Sequence, residues 1–240
     1  NVLTQKNPTT QKYLLDKTNN SLLTNTRDIL QKRPATTSRT AAIFSYPDFG
    51  ALPAEPVAEG TRMPGFPELK DLPGTKIESD SVKKILTDQR WNVSDHLQKD
   101  ASETAIKKVS SPQVLHIATH GFFLKDVKDS TGKVYGIESE IVKQNPLLRS
   151  GVILAGAAAM AKERFASVEK EDGILTAYEA AGLDLTGTDL VVLSACETGL
   201  GEMLNGQGVY GLQRAFFVAG ARSLIMSLWK VDDKATQELM

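Results

Sequence analysis

Val114-Leu115-His116-Ile117-Ala118-Thr119-His120-Gly121 and Leu190-Val191-Val192-Leu193-Ser194-Ala195-Cys196-Glu197-Thr198-Gly199 decide how this chain is read. Each is an apolar run of strand length that ends on a chemically active side chain with glycine close behind. One run delivers His120, the other Cys196, the single cysteine of the chain. Strands that are apolar throughout are covered on both faces, the habit of parallel sheets. In such sheets ligands and reactive groups gather at the carboxyl ends of the strands. An imidazole delivered there can serve as general base to a thiol nucleophile delivered by another strand.

Working outward, Ala41-Ala42-Ile43-Phe44-Ser45-Tyr46 reads as the first core strand, stopped by Pro47. Residues 47–74 hold six of the ten prolines and read as a long surface loop. Residues 75–89 carry Ile77, Val82, Ile85 and Leu86 at helical spacing, which predicts an amphipathic helix. A short strand is expected at 91–94 and a helix at 101–109, capped by Ser102. The His-bearing strand is expected at about 113–119 and the Cys-bearing strand at about 189–195. Between them, 122–150 is charged and irregular, 151–160 is small and apolar and fits strand or helix, and 173–182 looks helical. Residues 207–219 place Leu212, Ala215, Phe216 and Ala219 on one helical face, and a strand follows at 221–228. Alternating strands and helices predict an α/β fold, a mainly parallel sheet with helices on both faces. Residues 1–40 read as a polar N-terminal segment, either part of the domain or a linker from an upstream region, and 41–240 as the main domain.

Bulk composition narrows the function classes. With 41% hydrophobic residues in 240, the chain can fill one core. A net charge of −1 gives no electrostatic case for a nucleic-acid or anionic-membrane partner. One cysteine excludes an internal disulfide and suits a reducing, cytoplasmic setting. Asn1 to Pro8 has no apolar signal core, and the small-apolar run from Gly151 to Ala161 is far short of the ~20 residues that span a bilayer. The chain starts without Met and stops inside an apparent helix, so a fragment truncated at its C-terminus is expected.

Each chemical residue has a blander alternative. Cys196 can be a small buried hydrophobe, and His120 a core histidine satisfied by hydrogen bonds. Their positions at strand ends, with Gly121 beside one and Gly199 near the other, raise the case for chemistry, more for His120 than for Cys196, whose packing role stays open on spacing alone. A metal site from His116, His120 and Cys196 lacks the carboxylate of an H-E-x-x-H pattern, so His116 is expected to pack and hydrogen-bond beneath the site. His96 lies in a polar stretch and is expected to face solvent. Gly206-Gln207-Gly208-Val209-Tyr210-Gly211 matches G-x-G-x-x-G, but about ten residues separate it from its strand, which argues against a dinucleotide turn.

A set of stretches points to a family: Leu72-Pro73-Gly74-Thr75, Ile117-Ala118-Thr119-His120-Gly121-Phe122-Phe123, Asn145-Pro146-Leu147-Leu148-Arg149-Ser150-Gly151 and Asp172-Gly173-Ile174-Leu175-Thr176-Ala177. To these add Leu193-Ser194-Ala195-Cys196-Glu197-Thr198-Gly199, Gly211-Leu212-Gln213-Arg214-Ala215-Phe216 and Ser227-Leu228-Trp229-Lys230-Val231-Asp232-Asp233. The chain resembles the CHAT domain, a caspase-like cysteine peptidase domain often attached to TPR repeats. The resemblance covers about residues 41–240, and faintly 11–40. It implies a caspase–hemoglobinase fold related to separase and caspases, with His120 as base, Cys196 as nucleophile and no metal or other cofactor. Ser194-Ala195-Cys196-Glu197-Thr198 departs from the caspase Q-A-C-R-G pattern, so aspartate specificity does not carry over.

The expected activity is cysteine endopeptidase. The backbone N–H groups of Gly121 and Cys196 would form the oxyanion hole. Similarity to a Leu-Trp-x-Val-x-Asp stretch of separase places Asp232 or Asp233 at the substrate pocket, which would favour a basic P1 residue. The partners implied are a protein substrate and, in cis or in trans, TPR repeats or a regulatory protein; neither nucleic acid nor membrane is implied. Two other classes stay open: a catalytically silent caspase-like interaction module and a nucleotide-binding domain.

Overall fold

The computed structural model describes Tyr13 and residues 38–50, 69–123, 133–134, 137–138, 145–159, 171–195 and 207–226. The chain divides into two compact units, Asn1–Ala35 and Thr36–Met240. Of the first, only Tyr13 is among the described residues; the second carries all the others.

Five parallel strands form the main sheet of the second unit: β1 (Thr40–Pro47), β2 (Asn92–Gln98), β3 (Val114–Ala118), β9 (Leu190–Ser194) and β10 (Leu224–Met226). Their spatial order is β10-β9-β3-β1-β2, and every described pairing in this sheet is parallel. The chain runs from β1 outward to β2, then returns to lie on the other side of β1 as β3. The order therefore reverses between β1 and β3, and open parallel sheets bind their ligands outside the carboxyl ends of strands at such a reversal. The inner strands β1, β3 and β9 are buried almost throughout, because helices and loops cover both faces; the outer β2 and β10 are partly exposed.

One face of the sheet presents Ala42, Phe44, Leu115, Ile117, Val191 and Leu193 to the main core. Ile106 from α2 (Glu103–Lys107), Ala177 and Ala180 from α3 (Ala177–Ala180), and Leu212, Ala215 and Phe216 from α4 (Gln207–Val218) complete that core. Residues alternate along a strand, so Ile43, His116, Val192 and Ser194 point the other way, toward α1 (Pro73–Asp88). A smaller antiparallel sheet consists of β4 (Gly121–Phe123), β7 (Ser150–Ile153) and β8 (Ile174–Thr176), in the order β4-β7-β8. The chain passes from β3 into β4 through Thr119 and His120 alone. Gly151 lets these strands close up: a Cβ there would sit 2.5 Å from the Leu175 carbonyl oxygen and 2.7 Å from the Phe122 ring. A two-stranded ribbon, β5 (Lys133–Val134) with β6 (Ile137–Glu138), lies within the stretch expected to be irregular.

The mainly parallel α/β sheet is as expected, and Ser102 caps α2 by accepting from the Ala105 N–H at 3.2 Å. Four local expectations need correction. Ile77 and Ile85 are 52% and 60% exposed; α1 instead buries Thr75, Glu78 and Ser79, with Val82 and Leu86 half-buried in the same stripe. The helix is turned this way because polar partners on the sheet receive a polar stripe. The strand after Trp91 continues to Gln98, since β1 offers a full parallel ladder for it. Residues 173–182 begin as β8 and become helical only at Ala177, where Thr176 and Glu179 form a capping box. His96 is half-buried, with its ring stacked on Phe44 at 4.4 Å and its Nε2 2.7 Å from the Ser94 hydroxyl. The ambiguous 151–160 stretch resolves into β7 followed by a short 3-10 turn at Ala157–Ala159.

Candidate active site

His120 stands at the corner where the chain leaves β3 and enters β4. Thr119 fixes that corner. Its N–H donates to the Ser194 carbonyl at 3.1 Å and its hydroxyl to the Ile153 carbonyl. The His120 carbonyl in turn accepts from the Ile153 N–H at 2.9 Å. With its backbone held from two sheets, His120 is only 8% exposed. Its ring packs against Phe49, just past the end of β1, with centroids 5.2 Å apart. Its Nε2 lies 2.8 Å from the Lys70 carbonyl oxygen. A carbonyl only accepts, so Nε2 carries a proton, and in the neutral ring Nδ1 is the nitrogen with the lone pair. Phe49 comes from just past β1, Lys70 from the lead into α1 and His120 from just past β3, the two strands between which the order reverses.

Gly121 follows as the first residue of β4, opposite Val152. Across the main sheet, Ala118 and Ser194 are register partners on β3 and β9. His120 comes two residues after Ala118, and Cys196 two residues after Ser194. Cys196, Asp232 and Asp233 lie outside the described residues. Gly208 and Gly211 fall within α4 rather than in a strand-to-helix turn, the place a dinucleotide fingerprint requires.

The chain belongs to the CHAT domain family. The family model for the CHAT domain matches residues 2–240. Neither the curated proteins nor the solved structures provide a match to this chain. Membership makes this a caspase-like, peptidase-family domain, and its mostly parallel central sheet flanked by helices agrees with that architecture. Among the described residues, no helix of this CHAT domain is long and apolar enough to cross a membrane. No three His, Cys, Asp or Glu side chains among them gather as a metal-ligand set.

Sequence reasoning overlooked several residues around the site. Lys70 acts through its backbone carbonyl, which every residue type has, so no sequence signal marks it. Phe49 sits after a proline-ended strand and reads only as loop. Glu78 left a trace: Thr75, Glu78 and Ser79 share one helical stripe, an arrangement that needs polar partners when buried. His116, expected to pack and hydrogen-bond beneath the site, is buried on the α1 side of the sheet with its Nε2 2.9 Å from Glu78 Oε1, but the pair is misaligned and Nε2 has no hydrogen-bond partner among the described residues.

A second charged cluster flanks the main core. Glu103, fully buried, accepts from the Asp172 and Gly173 N–H groups at 2.8 and 2.9 Å and pairs with Lys107. Lys107 also reaches Glu179 at 3.0 Å. Burial, and then the neighbouring Glu103 charge, push the Asp172 carboxyl up to about 7. Burial likewise raises Glu103, against the opposing pull of Lys107. Burial disfavours the charge on Lys107, but its bonds to Glu103 and Glu179 outweigh this and raise it.

Proposed function

We propose that this CHAT domain is a cysteine endopeptidase with His120 as base and Cys196 as nucleophile. The observation that carries the reading is the rung shared by Ala118 and Ser194, since each candidate lies two residues beyond its member of that rung. The Lys70 contact supports it further by leaving His120 Nδ1 as the basic nitrogen.

In the proposed reaction, Cys196 loses its thiol proton to His120 Nδ1 and its sulfur bonds to the scissile carbonyl carbon. The negative charge that develops on the carbonyl oxygen is held by the N–H groups of Gly121 and Cys196. The C–N bond then breaks, and the imidazolium returns its proton to the leaving amine. Water, deprotonated by His120, attacks the thioester and releases the acid and the thiol. Lys70 and Phe49 keep the imidazole in one tautomer and one orientation, the service a carboxylate gives in other triads. Asp232 or Asp233 forms an anionic pocket floor that selects Arg or Lys at P1.

The test is cleavage of a peptide library scanned at P1. Wild type should cut after basic residues, and Cys196→Ala should cut nothing. A wild type that cleaves no peptide and leaves its cysteine unmodified by thiol-directed probes would favour a silent interaction module.

A further inference from the structure

On the α1 side of the sheet three polar residues are buried together: Glu78, His116 and Ser194. The Ser194 hydroxyl donates to Glu78 Oε2 at 3.0 Å. Glu78 Oε1 and His116 Nε2 are 2.9 Å apart but misaligned, and neither atom has a hydrogen-bond partner among the described residues. An ionisable pair buried with such geometry is a poor way to stabilise a core, because desolvation of the carboxylate is only partly offset. Stability therefore does not explain the carboxylate.

Its neighbours along the chain suggest a different role. Segment 70–78 touches three strands and the catalytic candidate itself. Glu78 meets β3 through His116 and β9 through Ser194. The Thr75 hydroxyl accepts from the Tyr46 N–H of β1 at 3.1 Å and donates to the Leu72 carbonyl at 2.7 Å. Two residues before Leu72, the Lys70 carbonyl meets His120 Nε2. Helix α1 is stiff from Pro73 through Glu78, and the Thr75 N–H and hydroxyl both bond the Leu72 carbonyl, so the position of Glu78 on the sheet bears on the Lys70 carbonyl two residues earlier.

We propose that Glu78 is a positioning residue: by tying α1 to β3 and β9 it holds the Lys70 carbonyl against His120 and so fixes the imidazole tautomer that leaves Nδ1 free. This rests on the Cys-His reading of the site.

Nitrogen-15 spectra of histidine-labelled protein read the tautomer directly, and the three histidines of the chain make the spectrum tractable. The His120 signal is identified by its loss in His120→Gln. Wild type should show His120 protonated at Nε2 alone. Glu78→Ala should show a mixture of tautomers, with the His96 signal and the melting temperature serving as controls for the fold. Glu78→Gln, which keeps an oxygen for Ser194, should return the single form. In turnover, Glu78→Ala should lower kcat on the order of 10- to 100-fold with KM little changed. If Glu78→Ala does not fold, Ser194→Ala replaces it and should shift the tautomer ratio in the same direction. An unshifted His120 in the variant that folds, or a Gln variant as mixed as the Ala one, overturns the role of Glu78 and leaves the dyad standing. A wild type protonated at Nδ1 overturns the dyad geometry itself, and the inference with it.

Discussion

At the residue scale the account turns on His120, whose Nε2 faces a carbonyl acceptor and whose neutral ring therefore has its lone pair at Nδ1. Removing either member of the proposed dyad should remove the chemistry and spare the fold. His120→Ala and Cys196→Ala should each lower kcat/KM on the order of 10⁴-fold or more, and the double variant should be little worse, because the two act as a unit. Steady-state cleavage alongside thermal melts checks both points; a single variant that kept wild-type turnover would refute the assignment. Specificity is argued at the same scale. If Asp232 or Asp233 forms the pocket floor, replacing the right one with Ala should abolish the preference for Arg over Leu at P1, on the order of 100-fold. A P1 preference unchanged in both variants would assign the carboxylates to another task, such as capping the helix expected after them.

At the element scale, the strand ends were legible in the sequence and their supports were not. The apolar runs around His116 and Val192 announced β3 and β9 to within a residue or two at each end, since a strand buried on both faces leaves little choice of residue. The rotation of α1 was hidden, because Ile77 and Ile85 carry the stronger apolar signal yet face outward, while Glu78 gains its partners only from strands distant in sequence. Residues 173–182 misled for a related reason: β8 is three residues long and buried, too short for a period to show. Two predictions belong here. Gly151→Ala should destabilise the domain by ~1–3 kcal/mol, since the added methyl meets the Leu175 carbonyl and the Phe122 ring; an unchanged denaturation midpoint would contradict the close approach of β4, β7 and β8. The second concerns the join of α2, β8 and α3. Asp172 has a folded pKa of about 7, above its ordinary value. Its neutral form therefore contributes stability in full below the unfolded pKa of ~3.9, and that contribution is lost as pH rises toward 7. Asp172→Asn keeps a neutral group there. Between about pH 5 and 8, wild type should lose on the order of 2 kcal/mol relative to this variant, once partial solvent screening is allowed for. Urea denaturation at each pH measures the difference, and parallel pH profiles would show that the carboxyl is not perturbed.

For the whole molecule, family membership and the parallel sheet define a caspase-like scaffold, and the reversal of strand order between β1 and β3 marks where such a scaffold does its work. Phe49, Lys70, His120 and Gly121 converge at that end, brought together from stretches that are far apart in sequence. The sequence alone located the two strands that carry the candidates but not the contacts His120 makes with Phe49 and Lys70, because the proline-rich stretch between β1 and α1 gave no periodic signal. The central claim is that Cys196 is a nucleophile activated by His120. The direct measurement is mass mapping after exposure to a peptidyl acyloxymethyl ketone with Arg at P1. The single cysteine makes the site of addition unambiguous. The account predicts one adduct per chain, on Cys196, formed quickly by wild type and on the order of 10³-fold or more slowly by His120→Ala. No adduct in wild type, or an adduct formed equally fast without His120, would contradict it.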